Sequence, residues 1–259
     1  MDKFNFILKN DKLNELVNCI SDLTKISDIV KMKIDKDDIF IYSLVGETSI
    51  TAFKNFTLKT DDYIESKTEI DKPFEYIILE SKKFVKNIRF LIESEDKIKC
   101  TFSYLNRGEP SNYVRGFKLS DGKFKFTIMG GENYKIREIN KEMLSGILNE
   151  DNIEWSFQIN RSDYASIKKL ATINNDRDII DINCKGGSVV FGEDTKWEVK
   201  VCDIEANHSE ITFPKKYLTS ISNTDDVINF HVYETFLLFK EDGVNLMVSF
   251  EQDFSTEEL

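Results

Sequence analysis

One arrangement recurs four times along this chain: a short strand, a polar start, an amphipathic helix, an acidic turn, and then strands of alternating apolar residues. The first copy reads Phe4 to Lys9 as strand, with Asn10 and Asp11 as candidate helix caps and Leu13, Leu16, Val17, Ile20 and Leu23 at helical spacing. Val30, Met32 and Ile34 then alternate against Lys31 and Lys33, Asp35 to Asp38 turn, and Ile39 to Ser43 returns. The second copy runs from strand Glu75–Leu79 through a helix opening at Ser81, whose stripe is Phe84, Val85, Ile88 and Leu91. Ile98, Cys100, Phe102 and Tyr104 alternate after it, and Asp121 with Gly122 signals a hairpin.

The third copy has strand Trp155–Ile159, a helix from Ser162 with Tyr164, Ile167, Leu170 and Ala171 apolar, and a Gly186–Gly187 turn between two further strands. The fourth has strand Glu210–Phe213, a helix from Pro214 with Tyr217, Leu218 and Ile221 facing inward, and three closing strands up to Phe250. With Phe6, Ile78, Phe157 and Ile211 as equivalent positions, the copies begin 72, 79 and 54 residues apart, which groups them as two pairs. The spacing predicts an α+β chain of two similar domains, each with two helices packed on antiparallel sheets. Residues 1–129 form one and 152–259 the other, with an acidic tail from Gln252. Between them 130–151 reads as a surface connector carrying a short helix at Asn140 to Leu148.

Composition narrows the function. At 41% hydrophobic and 31% charged, with no apolar run near the ~18 residues of a membrane span, the chain reads as globular and free of the membrane. No secretory pattern opens it, so the cytoplasm is the expected compartment. Cys19, Cys100, Cys184 and Cys202 form no CxxC pair and only His208 and His231 accompany them, so buried thiols are expected rather than zinc or disulfides. An enzyme finds little support: GxGxxG, Walker A, GxSxG and HExxH motifs are absent. The carboxylates Asp35, Asp37, Asp38, Asp225 and Asp226 lie in turns, where Asp serves backbone geometry.

The net charge of −11 excludes a uniformly basic nucleic-acid binder but not a local basic face. Three of the four helical segments carry such a face. Lys82, Lys83, Lys86 and Arg89 stand on 80–91; Arg161, Lys168 and Lys169 on 161–172; Lys215 and Lys216 on 214–221; only Glu80 and Asp163 oppose them. Lys82, Lys86 and Arg89 follow i, i+4, i+7 and so share one side, opposite the apolar stripe. Point charges displayed in this way suit sequence-independent, salt-sensitive phosphate contact. On the first helix Lys12 is the candidate, although Lys9, Lys12 and Lys25 are balanced by Asp11, Glu15 and Asp22.

The fourfold unit, the stretch IVKMKIDKDDIFIYSLVGETSITAFKNF over 29–56 and the closing GVNLMVSFEQD over 243–253 together resemble the DNA sliding clamps, the processivity factors of replicative polymerases. The closest likeness is to the three-subunit bacteriophage and proliferating-cell-nuclear-antigen type. The resemblance implies a pseudo-sixfold ring closed by three copies, helices lining a hole around double-stranded DNA and sheets forming an outer wall whose acidic charge repels DNA. It implies DNA polymerase and clamp loader as partners and no cofactor. It also implies a pocket for partner peptides. By position this falls on Leu44 and Val45, on Tyr134 and Ile136 of the connector, and on Val248, Phe250 and Phe254 near the C-terminus. The competing reading is a β-rich interaction or virion scaffold module that shares the repeats and does not bind DNA.

Overall fold

The computed structural model describes residues 1–45, 52–92, 97–105, 110–131, 137–139, 141–174, 176–193, 196–205, 208, 210–221, 226–241 and 244–250. The chain divides into two compact units, Met1–Glu47 with Phe53–Glu138, and Thr48–Ala52 with Ile139–Leu259.

The first unit contains β1 (Asp2–Lys9), α1 (Asn10–Leu23), β2 (Val30–Ile34), β3 (Asp38–Val45) and β4 (Ala52–Lys59), then the short α2 (Thr60–Tyr63) and β5 (Ile64–Glu65). A second strand, helix, three-strand run follows as β6 (Phe74–Ile78), α3 (Ser81–Ile92), β7 (Lys97–Leu105), β8 (Asn112–Ser120) and β9 (Lys125–Met129). The second unit opens with α4 (Lys141–Ile147) and a 3-10 turn at Glu150–Asn152. It continues with β10 (Trp155–Asn160), α5 (Arg161–Ile173), β11 (Ile179–Lys185), β12 (Ser188–Glu193) and β13 (Trp197–Asp203). It closes with β14 (Ile211–Pro214), a 3-10 helix at Lys215–Ser220, β15 (Val227–Val232), β16 (Phe236–Glu241) and β17 (Val244–Ser249).

The four repeats are therefore real, and each pair is interlocked. The strand entering α1, β1, pairs along its length with β7 of the next repeat and over only two residues with the short β5, while β6 pairs back with β2. The same exchange ties β10 to β15 and β14 to β11. Helices that follow exchanged strands must start beside each other on one face of the sheet. In the first unit α1 and α3 pack together, and the Arg89 guanidinium on α3 donates to Asn18 Oδ1 on α1 at 3.1 Å.

What holds the helices down is aromatic. Phe4, Phe6, Phe102 and Phe117 alternate inward along β1, β7 and β8, and Phe84 of α3 sits 5.8 Å from the Phe117 ring. In the second unit Phe157, Phe191, Phe230 and Phe239 do the same. Each fully buried ring of this kind contributes roughly 2–3 kcal/mol. The turns agree with their sequences: Gly186 and Gly187 both take positive φ, 57° and 77°, in the two-residue link from β11 to β12.

Several expectations need correction. Helix α1 begins at Asn10 itself, and Lys9 precedes it with no side-chain cap, so Asn10 and Asp11 are first-turn residues rather than caps. The predicted fourth helix is 3-10, Lys215–Ser220, too short to propagate an α-helical ladder. Lys31, read as the solvent-facing partner of an alternating strand, is 1% exposed. Its ammonium lies 2.8 Å from Glu75, itself buried, and bonds Glu138, while Tyr42 donates to the Arg137 carbonyl at 3.1 Å. Residues 137–138 thereby cover this sheet position and keep the ion pair from water. The thiols follow expectation for Cys19 and Cys100, which are buried; burial, with Glu15 and Asp22 adding to it, pushes Cys19 up to about 12. Cys184 and Cys202 are only half-buried.

Burial alone raises the Glu75 carboxyl and lowers the Lys31 ammonium, yet their mutual attraction, with Ser111 on Glu75 and Tyr42 and Glu138 on Lys31, outweighs it in both. Glu75 is thus held below its ordinary 4.5 and stabilises the fold above about that pH, losing the contribution as pH falls through the folded-state value. Lys31→Met leaves Glu75 buried without its main partner and should cost about 3–5 kcal/mol in urea denaturation at neutral pH. Glu75→Gln should instead flatten the loss of stability as the pH falls below the ordinary 4.5, relative to the parent protein; equal slopes would refute the assignment.

Candidate nucleic-acid interface

The exposed side of α3 is set by its buried side. Ser81, Phe84, Val85, Ile88 and Leu91 face the sheet, and the Ser81 hydroxyl donates to the Asp28 carbonyl at 2.8 Å to fix the helix start. Lys82, Lys83, Lys86 and Arg89 are consequently all exposed. Lys82 meets Asp28 at 3.0 Å and Lys83 meets Glu80 at 3.2 Å, both in open solvent where such pairs are worth little and exchange readily. Beside them the outer side of α1 is not basic. Lys12 is engaged by Glu15 at 3.4 Å, Lys25 by Asp22 at 2.8 Å, and Asn14 and Asn18 complete the surface. The pair at Lys12 is as weak as those on α3, but the acidic neighbours Asp11, Glu15 and Asp22 leave α1 without the net positive charge that α3 carries.

In the second unit α5 is capped by Asn160, whose Oδ1 accepts from the Asp163 amide at 2.9 Å. Tyr164, Ile167 and Ala171 are buried, leaving Arg161 and Lys169 exposed and Lys168 half-exposed with its ammonium 5.6 Å from the Tyr164 ring centre. The Tyr164 hydroxyl donates to the Leu218 carbonyl and so binds α5 to the 3-10 helix Lys215–Ser220. Between the two lies a groove of about 210 Å³, floored by Ala171 and Leu218 and lipped by Lys168 and Lys216. Lys216 leans over the Tyr217 ring at 5.0 Å, so both lip cations keep their stems on apolar surface and their charge in water.

Lys215 is the exception among the expected cations. Its side chain is 9% exposed, with the ammonium 3.2 Å from Glu193, a residue with no exposure, and 2.7 Å from the Asn174 carbonyl. It is a structural ion pair and cannot touch a polyanion. The signal was present, since Lys215 stands three before the inward Leu218 and shares its side.

The expected peptide pocket is only partly placed. Leu44 and Val45 are half-buried at the end of β3, and Phe250 is half-buried with its amide donating to the Thr235 carbonyl at 3.1 Å. Val248 has no exposure and belongs to the core of its own unit, so it cannot line an open pocket. Tyr134, Ile136 and Phe254 lie outside the described residues. The acidic turn at Asp35 spends its carboxylate on the amides of Asp37 and Asp38, at 2.9 Å each, which is backbone work. Among the described residues no group of three or more His, Cys, Asp or Glu side chains is arranged to hold a metal, and no helix is long and apolar enough to cross a membrane.

No protein-family model and no curated protein sequence matches the chain. Solved structures match over nearly all of it. The DNA polymerase III beta chain of Streptococcus pneumoniae superposes with a TM-score of 0.66 at 11% identity, covering 98% of this chain and 66% of its own. The subunit beta of Borrelia burgdorferi gives 0.67 at 15% identity, over 99% and 68%. PCNA from Thermococcus kodakaraensis gives 0.63 at 14% identity, over 96% of this chain and its own entire length. The chain thus spans about two thirds of the bacterial beta chains and all of the archaeal one, and its fold is the sliding-clamp fold.

Lys215→Ala should destabilise the second unit by about 3–5 kcal/mol, because Glu193 is left buried and unpaired. Lys216→Ala, one residue on, should stay within about 0.5 kcal/mol. Chemical denaturation of the two variants checks the assignment of one lysine to the core and the other to the surface.

Proposed function

We propose that this protein is a sliding clamp: three copies close head to tail around duplex DNA, helices inward, and hold a DNA polymerase on its template. The observation that carries the reading is the coincidence of two independent facts. The chain matches the archaeal clamp chain along its whole length, and in both units the helix pair displays cations that the fold does not consume. The ring implied by the resemblance contains twelve strand-helix repeats, so four per chain require three chains.

The sheet edges support head-to-tail closure. Among the described residues β9 pairs only with β8, and β13 only with β12, so each ends its sheet with unpaired amides and carbonyls. Each edge also has exposed apolar surface nearby. Phe90 is 46% exposed, with its ring set edge-on to those of Phe124 and Phe126 beside β9. Ile173 is 66% exposed at the end of α5, the helix packed against β13. Two different edges with two different apolar neighbours fit a heterologous contact, which closes into a ring when its rotation allows.

Within the hole, lysines on long stems hold phosphate loosely and through water, so the duplex is centred without being gripped. Enclosure then supplies the residence time that screened charges do not. The clamp loader and polymerase belong to the same proposal.

Mass measurement in solution should return about three times 30.1 kDa, and electron microscopy an annulus with pseudo-sixfold outline. Phe90→Asp or Ile173→Asp should reduce the mass to that of one chain while leaving the circular dichroism unchanged. Lys82→Glu with Lys86→Glu should keep the ring and lower polymerase processivity by tenfold or so at about 100 mM salt. A ring whose processivity ignores that double reversal would favour a scaffold that does not hold DNA.

A further inference from the structure

The side of the first unit's sheet that faces away from α1 and α3 is as informative as the helices. Along β1, β7, β8 and β9 the inward residues are Phe4, Phe6, Cys100, Phe102, Phe117 and Leu119; the alternate residues point to the opposite side. Those alternate positions carry Lys3, Lys9, Lys97, Lys99, Lys118 and Lys125, with Asn5, Thr101, Ser103, Ser120 and Thr127 between them. The one carboxylate in register on this side is Glu65 of β5, opposite Ile7, and it is taken by Lys97 at 3.2 Å. Lys9 bonds the Asp61 carbonyl. Among the described residues Lys3, Lys99, Lys118 and Lys125 have no carboxylate within ion-pair distance.

The concentration is not a requirement of the fold. The corresponding strands of the second unit, β10 and β15, fill the same outward positions with neutral cross-strand pairs: Ser156 with His231 at 2.8 Å and Gln158 with Asn229 at 2.8 Å. In a chain of net charge −11 the expected sheet wall is acidic, and in the first unit it is the reverse.

We propose that this lysine-bearing sheet face is a second DNA-contact surface, separate from the helix faces, that takes the phosphate backbone of duplex running outside the protein. The chemistry favours phosphate over a protein partner. Protein interfaces centre on aromatic or aliphatic anchors and are depleted in lysine, whereas here the centre is lysine and hydroxyl, with Ile7 half-buried and Met129 only at the rim. Same-side residues stand about 7 Å apart along a strand and about 5 Å across strands, a flat lattice of point charges without a groove or stacking platform. Such a surface reads no base and meets backbone phosphates of any sequence. It goes beyond the ring proposal and stands without it, because the surface exists in each copy.

Covalently closed, relaxed circular duplex separates the two sites, since a closed ring cannot thread onto it unaided. The parent protein should bind this DNA at about 50 mM salt and release it as salt rises. Lys99→Glu, Lys118→Glu and Lys125→Glu together should weaken binding about tenfold or more and reduce the slope of log affinity against log salt by nearly 3. The Lys→Gln triple variant, which adds no repulsion, should show the smaller loss of three contacts. Lys82→Glu with Lys86→Glu should leave closed-circle binding unchanged while lowering processivity, so either proposal can fail alone. No closed-circle binding by the parent protein, parent-like binding by both triple variants at unchanged melting temperature, or tighter binding of poly-glutamate than of DNA at matched charge would overturn the assignment.

Discussion

Everything functional in this fold depends on the exchange of entering strands between neighbouring repeats. A strand that left its helix to pair within its own repeat would scatter the helices over the sheet. Because β1 is held by β7 and β6 by β2, the chain enters α1 and α3 from adjacent lanes and lays both on the same side. The second unit repeats the constraint through β10 with β15 and β14 with β11, and sets α5 beside the 3-10 helix. One side of each sheet is then committed to aromatic packing beneath helices. The cations of α3 and α5 are forced outward, because inward positions are filled by rings such as Phe84 and Tyr164 with no exposure to spare. The basic helix face is in this sense a consequence of core packing as much as of charge.

The lysines that fail to reach solvent make the same point from the other side. Lys31 and Lys215 are each buried against a buried glutamate and tied to a chain segment, residues 137–138 in one case and Asn174 at the end of α5 in the other. A hydrophobic pair of equal volume would often serve stability as well or better. What the ion pair adds is direction, since a carboxylate and an ammonium accept few geometries. In both units it sits where a segment must be held in one register against a sheet.

Much of this was legible in the sequence, and the failures have physical reasons. Helical periods placed α1, α3 and α5 within a residue or two because their stripes, such as Leu13, Leu16, Val17 and Ile20, are long enough to fix phase. The fourth stripe, Tyr217, Leu218 and Ile221, has too few turns to distinguish α from 3-10 geometry. Strand alternation misassigned Lys31 because period two reports two sides of a strand and not which of them a later segment covers. The short α2 and β5 left no periodic trace at all. Val248 reads as a pocket residue by position along the chain, yet it is fully buried in β17 opposite Leu237 of β16. Among the expected cations, Lys12 has Glu15 one turn on and Lys86 has no carboxylate within a turn, whereas Lys215 is taken by Glu193, a residue distant in sequence.

Net charge was the least reliable guide, and the reason bears on how such a protein would work. A total of −11 spread evenly would give a molecule that repels DNA everywhere and relies on topology alone. The cations here are partitioned instead, onto the helix faces of both units and onto the sheet side of the first unit, and the sheet positions of β10 and β15 stay neutral. At physiological salt the Debye length is about 8 Å, so each patch is felt only by DNA already close to it and the acidic remainder does not cancel it at contact. Local attraction and global repulsion can therefore coexist on one acidic chain. On the proposed reading the first would keep a duplex near chosen surfaces, and the second would prevent it from settling on the others.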